Sequence, residues 1–133
     1  MRNRIEYTDR YPEELAARPG FVVLDVGSIL SATYSESPSD LSADSYTAVS
    51  AALRHQIPEG SKHLLLTNVG ILCEPELHLN PSKLLLDLAL DFEVLLYWTF
   101  PVINAKRLVW DTAAPQYGIE FEPTILQRME QQN

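Results

Sequence analysis

The chain has 133 residues, 46% of them hydrophobic, which is typical of one globular domain with a buried core. Eighteen acidic residues outnumber ten basic ones, giving a net charge of −8. No stretch of the sequence collects Lys and Arg into a patch that would neutralise several phosphates, so direct binding to DNA or RNA is not expected.

Cys73 is the only cysteine, so no disulfide can form within the chain, as is usual in a reducing cytoplasm. The N-terminal residues lack the apolar segment of a signal peptide, and no apolar run is long enough for a membrane span. The sequence therefore predicts a cytoplasmic protein that has no membrane partner.

Residues 1–19 form a polar arm with one short helix near Pro12, and Arg2, Arg4 and Arg10 in this arm are expected to be solvated. Residues 21–26, with the sequence FVVLDV, lie between two glycines and predict a buried strand. Residues 35–45 are rich in Ser and Asp and predict a loop. This loop leads to a helix with Ser42 or Asp44 as its N-cap.

Apolar residues at helical spacing follow, at Tyr46, Val49, Leu53 and Ile57, and they predict one buried helix face. Residues 63–68, with the sequence HLLLTN, predict a second buried strand. Asn80 and Pro81 then provide an N-cap and a first helical residue. The helix that they begin has a buried stripe formed by Leu84, Leu85, Leu88 and Phe92.

Residues 94–98 predict the strand that completes this strand–helix–strand unit. Beyond it the signals weaken: residues 107–110 suggest a last strand, residues 118–121 a short extension, and residues 122–133 a tail. Strands that alternate with helices favour a single α/β domain over residues 1–133. We predict a three-layer fold with a mainly parallel sheet of four to five strands and helices on both faces.

Motifs for nucleotide or metal chemistry are absent from the sequence. Neither GxxxxGKS/T nor GxGxxG occurs, and the five glycines are too scattered to form a phosphate loop. Cys73, His63 and His78, with Glu74 and Glu76, lack the spacing of strong metal sites. The sequence therefore predicts no cofactor, no metal and no catalytic residue, and Asp25 is interpreted as a cap or turn residue.

Aromatic residues cluster after the last predicted buried strand. Alternation sends Tyr97 and Trp98 to opposite faces of the sheet, so at least one of the two rings should belong to the core. Exposed aromatic rings suit protein partners. A core role is favoured for each ring, and the alternative is that Trp98, Phe100 and Trp110 belong to a protein-interaction surface.

Four segments carry a resemblance to a known family. They are the strand 64–68, the run ILCEPELHLNP at 71–81 leading to Leu84 and Leu85, the aromatic strand 94–98, and residues 108–110 with 115–117. In these segments the chain resembles the C-terminal half of the small P-loop protein of bacteriophage-exclusion (BREX) defence systems. The resemblance implies a P-loop-like scaffold and partners from the same defence system.

The chain departs from that family where nucleotide chemistry would be performed. The 20 residues before the first predicted strand are too few for a strand, a phosphate loop and a helix, so this unit is expected to be missing. The acidic residue that holds magnesium in such folds would fall at Thr67 or Asn68, and neither is charged. The resemblance thus implies a truncated, degenerate P-loop-like domain without nucleotide hydrolysis.

A missing central strand must be compensated, because unpaired backbone groups would otherwise be exposed. We expect either a four-stranded sheet closed around residues 64–68 and 94–98, or a homodimer completed along an edge. The favoured function is a non-catalytic protein-interaction component of an anti-phage defence system. The alternative is a small enzyme or ligand-binding protein whose site lies at the strand ends, around Asp25, Thr67, Asn68 and Thr99.

Overall fold

The computed structural model describes residues 4–36, 45–73, 79–109, 118–122 and 124–129. Eight strands lie within these residues: β1 (Ile5–Thr8), β2 (Phe21–Asp25), β3 (His63–Thr67), β4 (Glu93–Tyr97), β5 (Val102–Ile103), β6 (Arg107–Val109), β7 (Gly118–Glu120) and β8 (Leu126–Arg128). Five of them form a sheet in the order β2-β3-β4-β1-β8, and every neighbouring pair is parallel. The predicted α/β fold with a mainly parallel sheet is confirmed.

The remaining strands form a separate three-stranded sheet in the order β5-β6-β7, in which both pairs are antiparallel. Residues 107–110 were expected to supply a last strand. Of these, Arg107–Val109 form β6, but β6 belongs to this second sheet. Leu108 and Ile119 lie opposite each other in it and are fully buried. The small sheet therefore covers part of the core and does not extend the main sheet.

The helices are α1 (Glu13–Ala16), α2 (Val26–Glu36), α3 (Ser45–His55) and α4 (Pro81–Asp91), with a 3₁₀ helix at Val69–Cys73. The predicted start of α4 agrees with the structure. The Asn80 side chain accepts a hydrogen bond from the backbone N–H of Lys83, and Pro81 is the first residue of the helix. The predicted caps Ser42 and Asp44 lie outside the described residues. No helix in the described part of the chain combines the length and the apolar character needed to cross a bilayer.

The sheet order distributes the helices over the two faces. From β1 the chain moves across the sheet to the far edge at β2, and from β2 it returns through β3 to β4. Because parallel crossovers are right-handed, movements in opposite directions place their helices on opposite faces. The helix α1 therefore lies on one face, and α2, α3 and α4 lie on the other.

Burial agrees with this arrangement. The face that carries three helices holds the hydrophobic core, where Leu64 and Leu66 of β3 pack with buried residues of α2, α3 and α4. No residue of α1 is buried. The predicted stripe on α4 is confirmed for Leu84, Leu85 and Leu88, which are fully buried, and Phe92 packs against the core from the side.

Two strands of the main sheet were not predicted from the sequence. The strand β1 lies in the arm 1–19, and it sits inside the sheet between β4 and β8. The expectation of a missing central strand was therefore wrong: β1 occupies an interior position. The strand β8 lies in the tail 122–133 and pairs with β1, so the tail contributes an edge of the same sheet.

The direct pairing expected between residues 64–68 and 94–98 is present. Leu64 lies opposite Val94 and Leu66 lies opposite Leu96. On the other side of β4, Ile5 of β1 also lies opposite Val94. The sheet is thus continuous across β4 within one chain, and the arm itself supplies the strand that was expected from a rearrangement or a partner.

Candidate functional site

The strand ends of β2 and β3 carry a small polar network. The Asn68 side-chain amide donates a hydrogen bond to the Asp25 carboxylate (Nδ2 to Oδ1, 2.9 Å), and the backbone N–H of Ser28 donates to the same oxygen at 3.1 Å. Helix α2 begins directly after Asp25, so the carboxylate is its N-cap. The interpretation of Asp25 as a cap is confirmed.

Close packing holds this network in place. Asn68 adopts a left-handed backbone conformation (φ 55°), which this residue type tolerates better than most. A Cβ atom on Gly27 would lie 3.3 Å from the Cβ of Asn68 and 3.4 Å from the Asp25 carboxylate. The small residue at 27 therefore lets the Asn68 side chain reach Asp25.

The hydrogen bonds lower the pKa of Asp25 below its ordinary value. The Asn68 amide has the largest effect and the backbone N–H of Ser28 comes next, because both stabilise the ionised carboxylate. A carboxylate with a lowered pKa is a weaker base than an ordinary one. Asp25 is therefore poorly suited to accept a proton from a substrate.

We expect replacement of Asp25 by alanine to lower the free energy of unfolding by about 1 kcal/mol at neutral pH, the usual effect of losing an N-cap. Because the folded-state pKa of Asp25 is lowered, its ionic contribution is present above the unfolded-state pKa and is lost as the pH falls through the folded-state pKa. Urea unfolding at several pH values should show the difference between wild type and Asp25→Ala narrowing in acid.

Asp25→Asn is the matched control, since asparagine is also an effective N-cap but does not titrate. Its stability should lie close to that of the wild type at neutral pH. A difference between wild type and Asp25→Ala that stays constant from neutral to acidic pH would contradict the assignment of this carboxylate as the titrating cap.

The position that would hold magnesium in a P-loop fold is occupied by neutral groups. Thr67 ends β3 and Asn68 follows it, and the amide of Asn68 is bound to Asp25. Of the four residues proposed for a strand-end site, the structure brings together Asp25, Thr67 and Asn68, with Thr67 opposite Asp25 in the strand register. Thr99 is exposed beyond the end of β4.

The segment after β1 lies where a P-loop fold would have its phosphate loop, and its backbone is engaged locally. The buried Thr8 hydroxyl accepts a hydrogen bond from the backbone N–H of Arg10 at 3.2 Å and donates one to the carbonyl of Arg10 at 3.0 Å. Asp9 forms an ion pair with Arg128 of β8. Residues 9–12 contain no glycine, and the helix that follows them is a single turn, α1.

The aromatic candidates separate into different environments. Trp98 is 2% exposed and belongs to the hydrophobic core, and its indole N–H donates to the carbonyl of Pro101 at 3.4 Å. Its proposed interaction role is therefore corrected to a core role, because a buried ring has no surface to offer a partner. Phe100 is 44% exposed and packs edge-on against Trp98, with ring centroids 5.7 Å apart. Trp110 lies outside the described residues.

The residues considered for metal binding are not assembled into a site in the described ranges. Cys73 is buried, and His63 pairs with Glu93 across neighbouring strands. Among the described residues there is no group of three or more His, Cys, Asp or Glu side chains that could hold a metal ion. His78, Glu74 and Glu76 lie outside those residues, as does Arg2, whereas Arg4 and Arg10 of the arm are exposed as expected.

A groove of about 1060 Å³ lies between the connection 10–18 and the sheet face opposite the core. Four carboxylates line it: Glu6 of β1, Glu13 and Glu14 of α1, and Glu93 of β4. Apolar and aromatic residues lie between them, among them Tyr11, Phe21 and Leu95. The groove therefore combines an acidic lining with the aromatic groups of Tyr11 and Phe21.

The sequence did not predict this groove, because the arm was not expected to enter the sheet. One signal was available in the sequence. Alternate residues of a strand share a face, so the face opposite the core must carry the residues of β3 and β4 that alternate with the core residues. These are His63, Leu65, Thr67, Glu93, Leu95 and Tyr97. Two ring contacts mark that face. The Phe21 and His63 rings stack at 4.7 Å, and the Tyr11 and Tyr97 rings meet edge-on at 5.5 Å.

The chain was compared with protein-family models, with curated proteins and with solved structures, and none of the three comparisons gave a match. The resemblance to the defence-system P-loop protein therefore stays a prediction based on the four segments in which it was found.

Proposed function

We propose that this chain is a non-catalytic protein-interaction component of a bacterial anti-phage defence system, built on a degenerate P-loop-like domain that does not hydrolyse nucleotides. The observation that carries the proposal is the state of the strand ends. The Asp25 carboxylate caps α2 and accepts a hydrogen bond from the Asn68 amide, so these two side chains are bound to one another. Ligands of open α/β sheets bind at such an edge, through groups that remain available.

Two further features support the proposal. The segment after β1 binds its own Thr8 side chain and leads into a helix of only four residues. A phosphate-binding loop instead offers several free backbone N–H groups at the start of a long helix. The acidic surface, with a net charge of −8, suits a basic protein partner through electrostatic steering.

The partner and the location follow from the resemblance. We infer that the partner is another protein of the same defence system, and that the chain acts in the cytoplasm, as its single, buried cysteine also suggests. Phe100, exposed beside the small sheet, remains a candidate for part of the contact.

A tagged copy of the chain, purified from its native cell, should recover proteins of that defence system in stoichiometric amounts, as identified by mass spectrometry. Addition of ATP and magnesium to the isolated chain should leave its melting temperature unchanged, because only a ligand that binds the folded state raises it. Recovery of the chain alone together with a clear rise in melting temperature would contradict the proposal and favour the alternative of a ligand-binding protein.

A further inference from the structure

The connection that crosses the sheet face opposite the core contains very little helix. It runs from β1 to β2, across three intervals between neighbouring strands, which is about 14 Å at the usual strand spacing. The four residues of α1 span only about 6 Å along the helix axis. Helix α1 is thus a single turn with no buried residue, and it covers less of its face than the three longer helices cover of the other.

Leu65 and Leu95 of this face are buried, so the apolar and charged contacts that it offers come from other residues. Tyr11 is 38% exposed at the groove, and Val23, on the same face of β2, is 41% exposed. Glu13 and Glu14 project from α1 beside the groove. They have no ionic partner among the described residues, whereas Glu6 pairs with Arg4 and Glu93 with His63.

The charge of the residues that line the groove determines which kind of partner segment it favours. Four glutamates line it against two arginines, Arg10 and Arg18, so acidic groups are in excess. A partner segment with an excess of Lys or Arg is favoured by this potential, and an acidic one is repelled. Apolar side chains of the partner would meet Tyr11 and Phe21, since Leu95 is only 6% exposed.

We propose that the groove binds a basic amphipathic helix of a partner protein, which lies on the sheet face that α1 covers incompletely. The apolar stripe of that helix faces Tyr11 and Phe21, and its Lys and Arg side chains pair with Glu13 and Glu14. This is the helix-in-groove mode of recognition. The inference rests on the proposed interaction function and names the surface and the kind of partner.

The test measures fluorescence anisotropy of a labelled amphipathic helical peptide of leucine and lysine, titrated with the full chain. A peptide with glutamate in place of lysine is the ligand control. We expect the lysine peptide to bind and the glutamate peptide not to bind. The double variant Glu13→Lys/Glu14→Lys should weaken binding roughly tenfold or more, since close charge pairs across an interface are strongly coupled.

The matched protein control is Glu59→Lys/Glu122→Lys, which changes the net charge equally at two exposed positions outside the groove. It should retain affinity within about twofold, because charges outside the contact contribute little. An equal loss of peptide affinity in the two double variants would show that the peptide is attracted to the acidic protein in general, and it would overturn the inference. Circular dichroism of each variant shows whether it is folded.

A second pair of variants tests the apolar contact. Tyr11→Ala should weaken peptide binding, whereas Phe100→Ala, an exposed aromatic residue that does not line the groove, should not. Loss of peptide binding in Phe100→Ala but not in Tyr11→Ala would place the binding surface at Phe100 and overturn the inference.

The purification of native partners separates this inference from the proposed function. If the Glu13→Lys/Glu14→Lys variant still recovers the native partners in full, the interaction function stands and the groove assignment fails. If the wild type recovers none, the interaction function itself fails.

Discussion

Replacement of Glu6 by proline is expected to lower the free energy of unfolding by about 3 kcal/mol or more. Glu6 lies in β1, opposite Leu95 of β4 and Gln127 of β8. The N–H of Ile5 donates to Ile125 on the β8 side, and alternate residues of a strand point to alternate neighbours, so the N–H of Glu6 points to β4. Proline removes this donor inside the sheet.

Glu6→Ala is the matched control, because it keeps the backbone N–H and loses only the side chain. That side chain forms an exposed ion pair with Arg4, so its loss should change stability by no more than about 1 kcal/mol. Urea unfolding followed by circular dichroism measures both variants. Equal stability of Glu6→Pro and Glu6→Ala would show that residues 5–8 are a solvated arm, as the sequence pattern predicts, and not an interior strand.

Replacement of Leu88 by alanine is expected to lower the free energy of unfolding by about 2–5 kcal/mol. Leu88 lies in α4, is 0% exposed, and belongs to the core cluster that joins the helices to β3 and β4. Truncation removes buried methyl groups and leaves a cavity that the packed neighbours fill only in part. The melting temperature should fall by roughly 10 °C.

Leu90 provides the comparison, since it lies two residues further along the same helix and is 53% exposed. Leu90→Ala makes the same chemical change at the surface and should alter stability by no more than about 0.5 kcal/mol. Comparable losses for the two variants would mean that α4 does not pack on the sheet through Leu88, and the assignment of the core to that face would be wrong.

The strand-end network and the groove are different parts of the molecule, which makes their tests independent. The network joins Asp25 and Asn68 at the carboxyl ends of β2 and β3. The groove is lined by Phe21, His63 and Glu93, the first residues of β2, β3 and β4. Changes at Asp25 should therefore affect stability and not peptide binding, since distant sites act additively.

Local sequence signals were enough for the elements that combine several of them. The helix α4 has an N-cap, a proline at its first residue and a stripe of leucines, and all three act within a few residues. The strands β3 and β4 are apolar runs buried in the centre of the sheet, and such burial demands hydrophobic side chains at nearly every position. Apolar strands of this kind, separated by a helix, are typical of a parallel sheet, so the α/β class could be predicted from the sequence.

The helix α2 shows where local signals fail. It begins at Val26, with no linker after β2, and Gly27 in its first turn weakens the helical pattern. Its cap is Asp25, which was interpreted correctly although the helix that it caps was not predicted. The hydrogen bond between Asn68 and Asp25 could not be predicted from local signals, because it joins residues that lie far apart in the sequence.

The sequence by itself determined the strand–helix–strand unit of β3, α4 and β4, the core stripe of α4 and the absence of phosphate-loop motifs. Only the tertiary structure decided that Ile5–Thr8 and Leu126–Arg128 are strands of the same sheet. Each is short, and Glu6, Gln127 and Arg128 interrupt its apolar character, so neither has a local signal of its own. Their hydrogen-bond partners come from the far end of the chain, and such pairing forms only when the whole sheet does.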